Sequence, residues 1–199
     1  VSVSIPEDRL KMLAALEGLI SDEMGLRLAE LAATVPADEV IVECGSYKGK
    51  SGCYLAEGAQ CGNGAKVWCI DPWNLAGNIT GRFGFAEEDT MKAFCSQVGS
   101  TGLGERITAF RAFGADAGKE WTGRPVGLLH IDSHHTYEGV MGDFTAWEPH
   151  LAPGAIVCFD DYDSEKKCNR GVTEAVNELV RRGGWRCWDL QPHPAVGFK

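Results

Sequence analysis

Val40-Ile41-Val42-Glu43-Cys44-Gly45-Ser46-Tyr47-Lys48-Gly49-Lys50-Ser51 decides the fold. Its β-branched apolar start reads as a buried strand. A turn with two glycines follows, then a segment, Gly52–Glu57, that can be helical. Strand, glycine turn and helix open a nucleotide-binding α/β sheet, whose ligand sits beyond the carboxyl end of the strand.

Three ligands compete for that place. A dinucleotide needs Gly-x-Gly-x-x-Gly so that backbone can approach a pyrophosphate, but here Tyr47 and Lys48 fill the gap between Gly45 and Gly49. A P-loop is suggested by Gly49-Lys50-Ser51, with Ala155–Asp160 as its metal-binding strand. That motif needs four residues between its glycines, and this chain has three; the shorter ring of N–H groups cradles phosphate poorly. Glu43 would also set a carboxylate beside the phosphate. A nucleoside without phosphate, such as S-adenosylmethionine, makes use of that acid, which accepts hydrogen bonds from hydroxyl or ammonium groups. The third reading is favoured and the other two stay open.

The rest of the chain supplies matching parts. Val67-Trp68-Cys69-Ile70 reads as a second strand ending at Asp71, whose two oxygens can take both hydroxyls of a ribose. Trp73 is placed to pack on adenine or to line the substrate mouth. A glycine- and phenylalanine-containing loop, 75–85, has the length of a lid, and a helix is expected from Ala86 to Val98. Arg106–Phe110 is the third strand. Gly114 and Ala115 beyond it would let adenine lie close to backbone, and Asp116 can cap the next helix.

Val126–Ile131 and Ala155–Phe159 are the fourth and fifth strands, the latter preceded by a Pro153-Gly154 turn. They end at Asp132 and at Asp160-Asp161. In a doubly wound sheet these ends face one crevice, so three carboxylates converge near the cofactor and repel unless a cation neutralises them. An all-oxygen set suits Mg²⁺ or another hard divalent ion. His135, on the turn after Asp132, has the ordinary pKa of a general base; His134 receives no catalytic role, and His130, inside its strand, reads as a core histidine.

With these residues together the chain resembles the class I S-adenosylmethionine methyltransferases. The run from Glu43 to Ser51 is similar to the first motif of catechol O-methyltransferase and its relatives, which implies cofactor contacts for Glu43, Gly45, Tyr47, Gly49 and Ser51. Asp71-Pro72-Trp73, His130–Glu138 and Asp160-Asp161-Tyr162 resemble the macrocin O-methyltransferase and cephalosporin-hydroxylase-like group. That likeness, over about Glu23 to Glu178, implies a divalent cation on Asp132, Asp160 and Asp161 and a basic role for His135. Gly114 departs from the group, where a serine often stands near adenine, and the acceptor expected is a small hydroxylated molecule, a sugar or a phenol.

Of the whole, 199 residues with 44% hydrophobic and 24% charged content read as one globular domain, with 1–36 as helices covering the sheet. Those helices are expected at Ile5–Leu19 and Glu23–Ala33, the second capped by Ser21-Asp22; Met24 reads as sheet cover before cofactor contact. The net charge of −9 argues against a nucleic-acid partner. No run of about eighteen apolar residues predicts a membrane span, and Val1–Asp8 carries no signal-peptide pattern. None of the eight cysteines forms a Cys-x-x-Cys pair, so they are expected reduced and structural, in a cytoplasmic protein. The basic stretch Lys166–Arg170 reads as a solvated loop. An amphipathic helix at Gly171–Arg182 and strands at Trp185–Leu190 and Ala195–Phe198 complete a seven-stranded, mostly parallel, Rossmann-like doubly wound sheet with helices on both faces. A homo-oligomer stays possible. Rival functions are a metal-dependent phosphoesterase using Asp132, His134, His135, Asp160 and Asp161, and a cofactor-binding module without chemistry.

Overall fold

A computed structural model describes residues 3–73, 90–163, 170–185, 187–190 and 195–199. The expected 75–85 loop, the start of the expected 86–98 helix and residues 166–169 of the basic stretch lie outside them.

The elements run in the order α1 (Glu7–Ala14), α2 (Asp22–Ala32), β1 (Val40–Cys44), α3 (Lys50–Cys61), β2 (Lys66–Asp71), α4 (Thr90–Thr101), β3 (Ile107–Arg111), α5 (Gly114–Lys119), β4 (Val126–Ile131), α6 (Tyr137–Trp147), β5 (Leu151–Phe159), α7 (Arg170–Arg182), β6 (Cys187–Leu190) and β7 (Ala195–Phe198). The seven strands form one sheet in the order β3-β2-β1-β4-β5-β7-β6. The first five pair in parallel, and β7 and β6 join antiparallel. The chain leaves β1 toward β2 and β3, then returns to β4 on its other side. The carboxyl ends of β1 and β4 therefore border the crevice where a doubly wound sheet takes its ligand.

Both faces of the sheet are covered, so β1 and β4 are buried at every position, as parallel strands require. Alternation sorts their side chains between two cores. Ile41 and Leu128 pack with α1, α2, α3 and α4, including Leu28, Leu55 and Phe94. Val40, Val42, Cys44 and Leu129 pack with α5, α6 and α7, including Ala117, Phe144 and Val176. Met24 belongs to the first core. Ser21 caps α2 by accepting from Met24 N–H at 3.2 Å, as expected. Among the described residues Cys44, Cys53, Cys61, Cys69, Cys95 and Cys158 are free thiols, and no helix is long and apolar enough to cross a membrane.

Four local expectations are corrected. The first helix stops at Ala14 and not Leu19, because the residues after it turn toward the glycine turn, where Glu17 pairs with Lys48 at 2.8 Å. The helix after that turn is longer than Gly52–Glu57, since Leu55, Ala56 and Ala59 keep its buried stripe intact to Cys61. Pro153-Gly154 is an irregularity inside β5: Val126 faces Leu151 while Leu128 faces Ile156, so the extra residues bulge without ending the strand. Asp116 lies within α5, whose N-cap is Phe113 with no side-chain cap.

Candidate functional site

The glycine turn is built on left-handed backbone. Gly45 and Gly49 have φ of 94° and 90°, and Tyr47 between them is held at 45°. A non-glycine residue there costs about 1–3 kcal/mol and persists only where its surroundings hold it. Asp71, at the end of β2, does much of the holding. Its Oδ2 accepts from Tyr47 N–H at 2.9 Å and its Oδ1 from Trp73 N–H at 2.7 Å. The carboxylate keeps acceptor capacity for a hydroxyl. Burial and the Glu43 charge raise the Asp71 pKa, against the opposing pull of the Trp73, Tyr47 and Ser46 amides.

Of the places open to Trp73, against adenine, at the substrate mouth or in the core, the structure shows the core. Its side chain is 1% exposed, donates from Nε1 to the Tyr47 carbonyl at 2.8 Å and packs on Phe94 with centroids 4.9 Å apart. The P-loop reading also falls here. Lys50 pairs with Asp22 at 3.0 Å and Lys48 with Glu17, so both cations of the turn are committed to the N-terminal segment.

Glu43 lies behind the turn, 0% exposed, with Oε1 3.2 Å from His130 Nδ1. That enclosure corrects the expectation of an open acceptor. Burial works against its charge, but His130 and the nearby Ser46 and Ser51 hydroxyls outweigh it and lower the Glu43 pKa. Burial likewise opposes the charged His130 ring, and Glu43, Asp132 and Asp160 together raise it. The core-histidine reading of His130 holds, with Glu43 as the partner. Glu43 Oε2 and Ser46 Oγ are buried without a hydrogen-bond partner among the described groups. Both lie close together beneath the turn, where the Ser46 hydroxyl favours the Glu43 charge, so the group at the turn that fits the hydroxyls of a nucleoside is the partly exposed Asp71 carboxylate.

Across the crevice, Asp132 N–H donates to Cys44 O at 2.9 Å and Asp160 N–H to Ile131 O at 3.0 Å. These bonds lock the ends of β1, β4 and β5 in a row. His135 spans two of the acids: Nε2 is 3.4 Å from Asp132 Oδ1, and Nδ1 is 3.4 Å from Asp161 Oδ2. Asp161 also has positive φ, 56°. Burial first, then the charge of Asp160, push the Asp132 pKa up to about 7, while His135 and His130 pull it back. An all-carboxylate set strained by its own repulsion suits a hard cation in chemistry. The expected convergence is met only in part, however. Among the described residues no three His, Cys, Asp or Glu side chains are drawn into a metal-holding group, because His135 sits between two of the three acids.

Gly114 is the first residue of α5, where the sequence reading had a loop ahead of the helix, and it stands beside three residues that the sequence reading passed over. Asp143 of α6 accepts from the Ser133 hydroxyl, and Phe113 lies near His134 with ring centroids 6.5 Å apart. A signal for Asp143 existed: it falls on the buried stripe of Val140, Phe144 and Trp147, where a carboxylate is costly unless it is bonded.

Residues 42–162, more than half of the chain, match the model of a family described as a methyltransferase domain. Solved structures of similar fold include the O-methyltransferase NovP, with 16% identity, a TM-score of 0.67 and 90% of this chain aligned to 81% of that one. TomG from Streptomyces achromogenes, an O-methyltransferase of tomaymycin synthesis solved with S-adenosylmethionine, is 17% identical, with a TM-score of 0.67 over 98% of this chain and 91% of its own. The S-adenosylhomocysteine-bound Podospora anserina methyltransferase PaMTH1 is 14% identical, with a TM-score of 0.69 over 98% and 88%.

Proposed function

The chain belongs to the methyltransferase-domain family, and from that premise we propose that it transfers a methyl group from S-adenosylmethionine to a hydroxyl oxygen of a small molecule. The observation that supports this reading is the Asp71 carboxylate, which accepts from the Tyr47 and Trp73 amides of the strained turn and stays partly exposed, with acceptor capacity for the hydroxyls of a ribose. When bound, S-adenosylmethionine supplies a methyl already activated by its sulfonium. The chain has then to position the acceptor in line and take its proton. His135 accepts that proton as the new C–O bond forms and the methyl–sulfur bond breaks, its electron pair staying on the sulfur of S-adenosylhomocysteine, and Asp132 and Asp161 on either side favour the ring once it is charged. Asp132, Asp160 and Asp161 are the residues that would hold Mg²⁺ or a similar ion, which would supply positive charge on the acceptor's side of the crevice. The acceptor class is a small sugar or phenol, as the resemblance of the motifs implies.

Asp71→Ala is expected to weaken S-adenosylmethionine binding by about ten- to a hundredfold, because two buried amides and the ribose all lose their acceptor. Isothermal titration checks this, and unchanged affinity in the folded variant contradicts it. The activity itself is tested by incubating the protein with methyl-labelled S-adenosylmethionine, Mg²⁺ and a panel of sugars and phenols. Label in an ether product supports the reading, and label only in amine or carbon products overturns O-methylation.

The Asp132 shift has a consequence for stability. A carboxyl whose pKa is raised by folding binds its proton more tightly in the folded state, so its contribution falls as pH rises from about 4, the unfolded value, through about 7. Asp132→Asn is therefore expected to melt roughly 2–4 °C above the cation-free wild type at pH 8 and level with it at pH 4.5. Mg²⁺ should raise the wild-type midpoint at pH 8 and leave the variant's unmoved. Equal midpoints at pH 8, or a retained Mg²⁺ response, would count against this account.

A further inference from the structure

Asp143 is a carboxylate on an apolar helix stripe, 6% exposed. Packing alone would be better served there by an aliphatic side chain, since a buried acid is costly unless its oxygens are bonded. Its contacts run to two different segments. Oδ2 accepts from the Ser133 hydroxyl, in the loop after β4. On the other side the carboxylate lies against the first turn of α5, where the Ala115 N–H favours its charge. Four residues on, Trp147 of the same helix donates from Nε1 to the Gly114 carbonyl at 2.9 Å. One face of α6 thus grips Gly114-Ala115 from two successive turns.

The same contact explains the glycine. A Cβ at Gly114 would sit 2.7 Å from Asp143 Oδ1 and 2.8 Å from Oδ2. The space of the serine found here in the resembling group is thus taken by a carboxylate delivered from α6. On the open side of these anchors stand two rings. Phe113 precedes Gly114 and is 37% exposed; His134 follows Ser133 and is exposed. Their centroids are 6.5 Å apart and their planes inclined by 34°. His134 follows Ser133, whose hydroxyl bonds Asp143, and Phe113 precedes Gly114, whose carbonyl is held by Trp147 and whose Cα lies against the Asp143 carboxylate.

We propose that Asp143 is a positioning residue for the adenine of the cofactor: by tying the loop after β3 to the loop after β4, it fixes Phe113 and His134 as the two aromatic walls of a slot for one flat purine base. This rests on the S-adenosylmethionine reading. The residue acts through the walls and does not touch the reacting atoms.

The test is a double-mutant cycle read by titration of S-adenosylhomocysteine. Phe113→Ala alone should weaken binding about five- to tenfold, the size of one lost stacking partner. Asp143→Ala alone should weaken it about tenfold or more. Combined, the two should cost little more than Asp143→Ala alone, because the wall is already displaced; a purely structural role for Asp143 gives losses that add. If the alanine variant does not fold, the isosteric Asp143→Asn takes its place in the cycle. Additive losses, or unchanged affinity in either folded Asp143 variant, overturn this proposal alone. No binding by the wild type overturns the cofactor reading and this proposal with it.

Discussion

Gly45→Ala is expected to destabilise the protein by about 4–5 kcal/mol, enough to leave little of it folded at 37 °C. Two costs combine. Gly45 has φ of 94°, a conformation that costs an L-residue about 1–2 kcal/mol or more. A Cβ there would also lie 2.5 Å from the Asp132 carbonyl carbon and closer still to its oxygen. That obstacle is backbone, so no rotamer change relieves it. It is also pinned: Gly45 N–H donates to Ile70 O at 2.8 Å, and Asp132 N–H to Cys44 O at 2.9 Å. Making room means prising β1 from β4 where both border the crevice. Chemical denaturation of the variant checks the loss. A drop below about 1 kcal/mol would show that the strand ends yield easily, and the rigid crevice argued above would be wrong.

His135→Ala is expected to lower turnover by about a hundred- to ten-thousandfold, the usual worth of a positioned proton acceptor, while S-adenosylhomocysteine binds as to the wild type. The ring pairs with Asp132 and Asp161, acids that follow β4 and β5, so its removal should leave the nucleoside end at the glycine turn intact. The loss should fall on kcat, since the interaction is made only as the acceptor gives up its proton. Steady-state kinetics on whichever hydroxyl the label assay identifies measures this. A variant that keeps kcat within threefold of the wild type removes His135 as the base and hands the proton to another group.

The sheet was legible because its strands announce themselves twice. Val40–Val42 and Val126–Leu129 are runs without a polar side chain, and an acid comes soon after each, Glu43 and Asp132. Where the sequence reading failed, the deciding partner was distant in the chain. Glu43 could be read as an acid at a strand end, but not as an enclosed one. Its partner His130 comes from β4 and meets it only through the parallel register that sets these two residues side by side. The early end of α1 depends on Lys48 drawing Glu17 down; local spacing of Leu10, Leu13 and Leu16 carries no trace of that pull. Trp73 had the position of a ligand contact, and only the Tyr47 carbonyl and Phe94 show that its ring is already engaged. The acids Asp132, Asp160 and Asp161 were legible as strand ends. The histidine between two of them was legible as a titratable group on the turn after Asp132 and not as a spacer between acids. Asp143 is a different kind of miss, since an acid three residues from Val140 and four from Trp147 is visibly on the buried stripe.

The central claim is a nucleoside site for S-adenosylmethionine at the glycine turn. Isothermal titration of S-adenosylmethionine into the wild-type protein, with and without Mg²⁺, tests it most directly. Saturable binding of one molecule per chain, present without the ion, is the result the account predicts. No binding at millimolar ligand under either condition, with ATP or a phosphoester binding in its place, would contradict it.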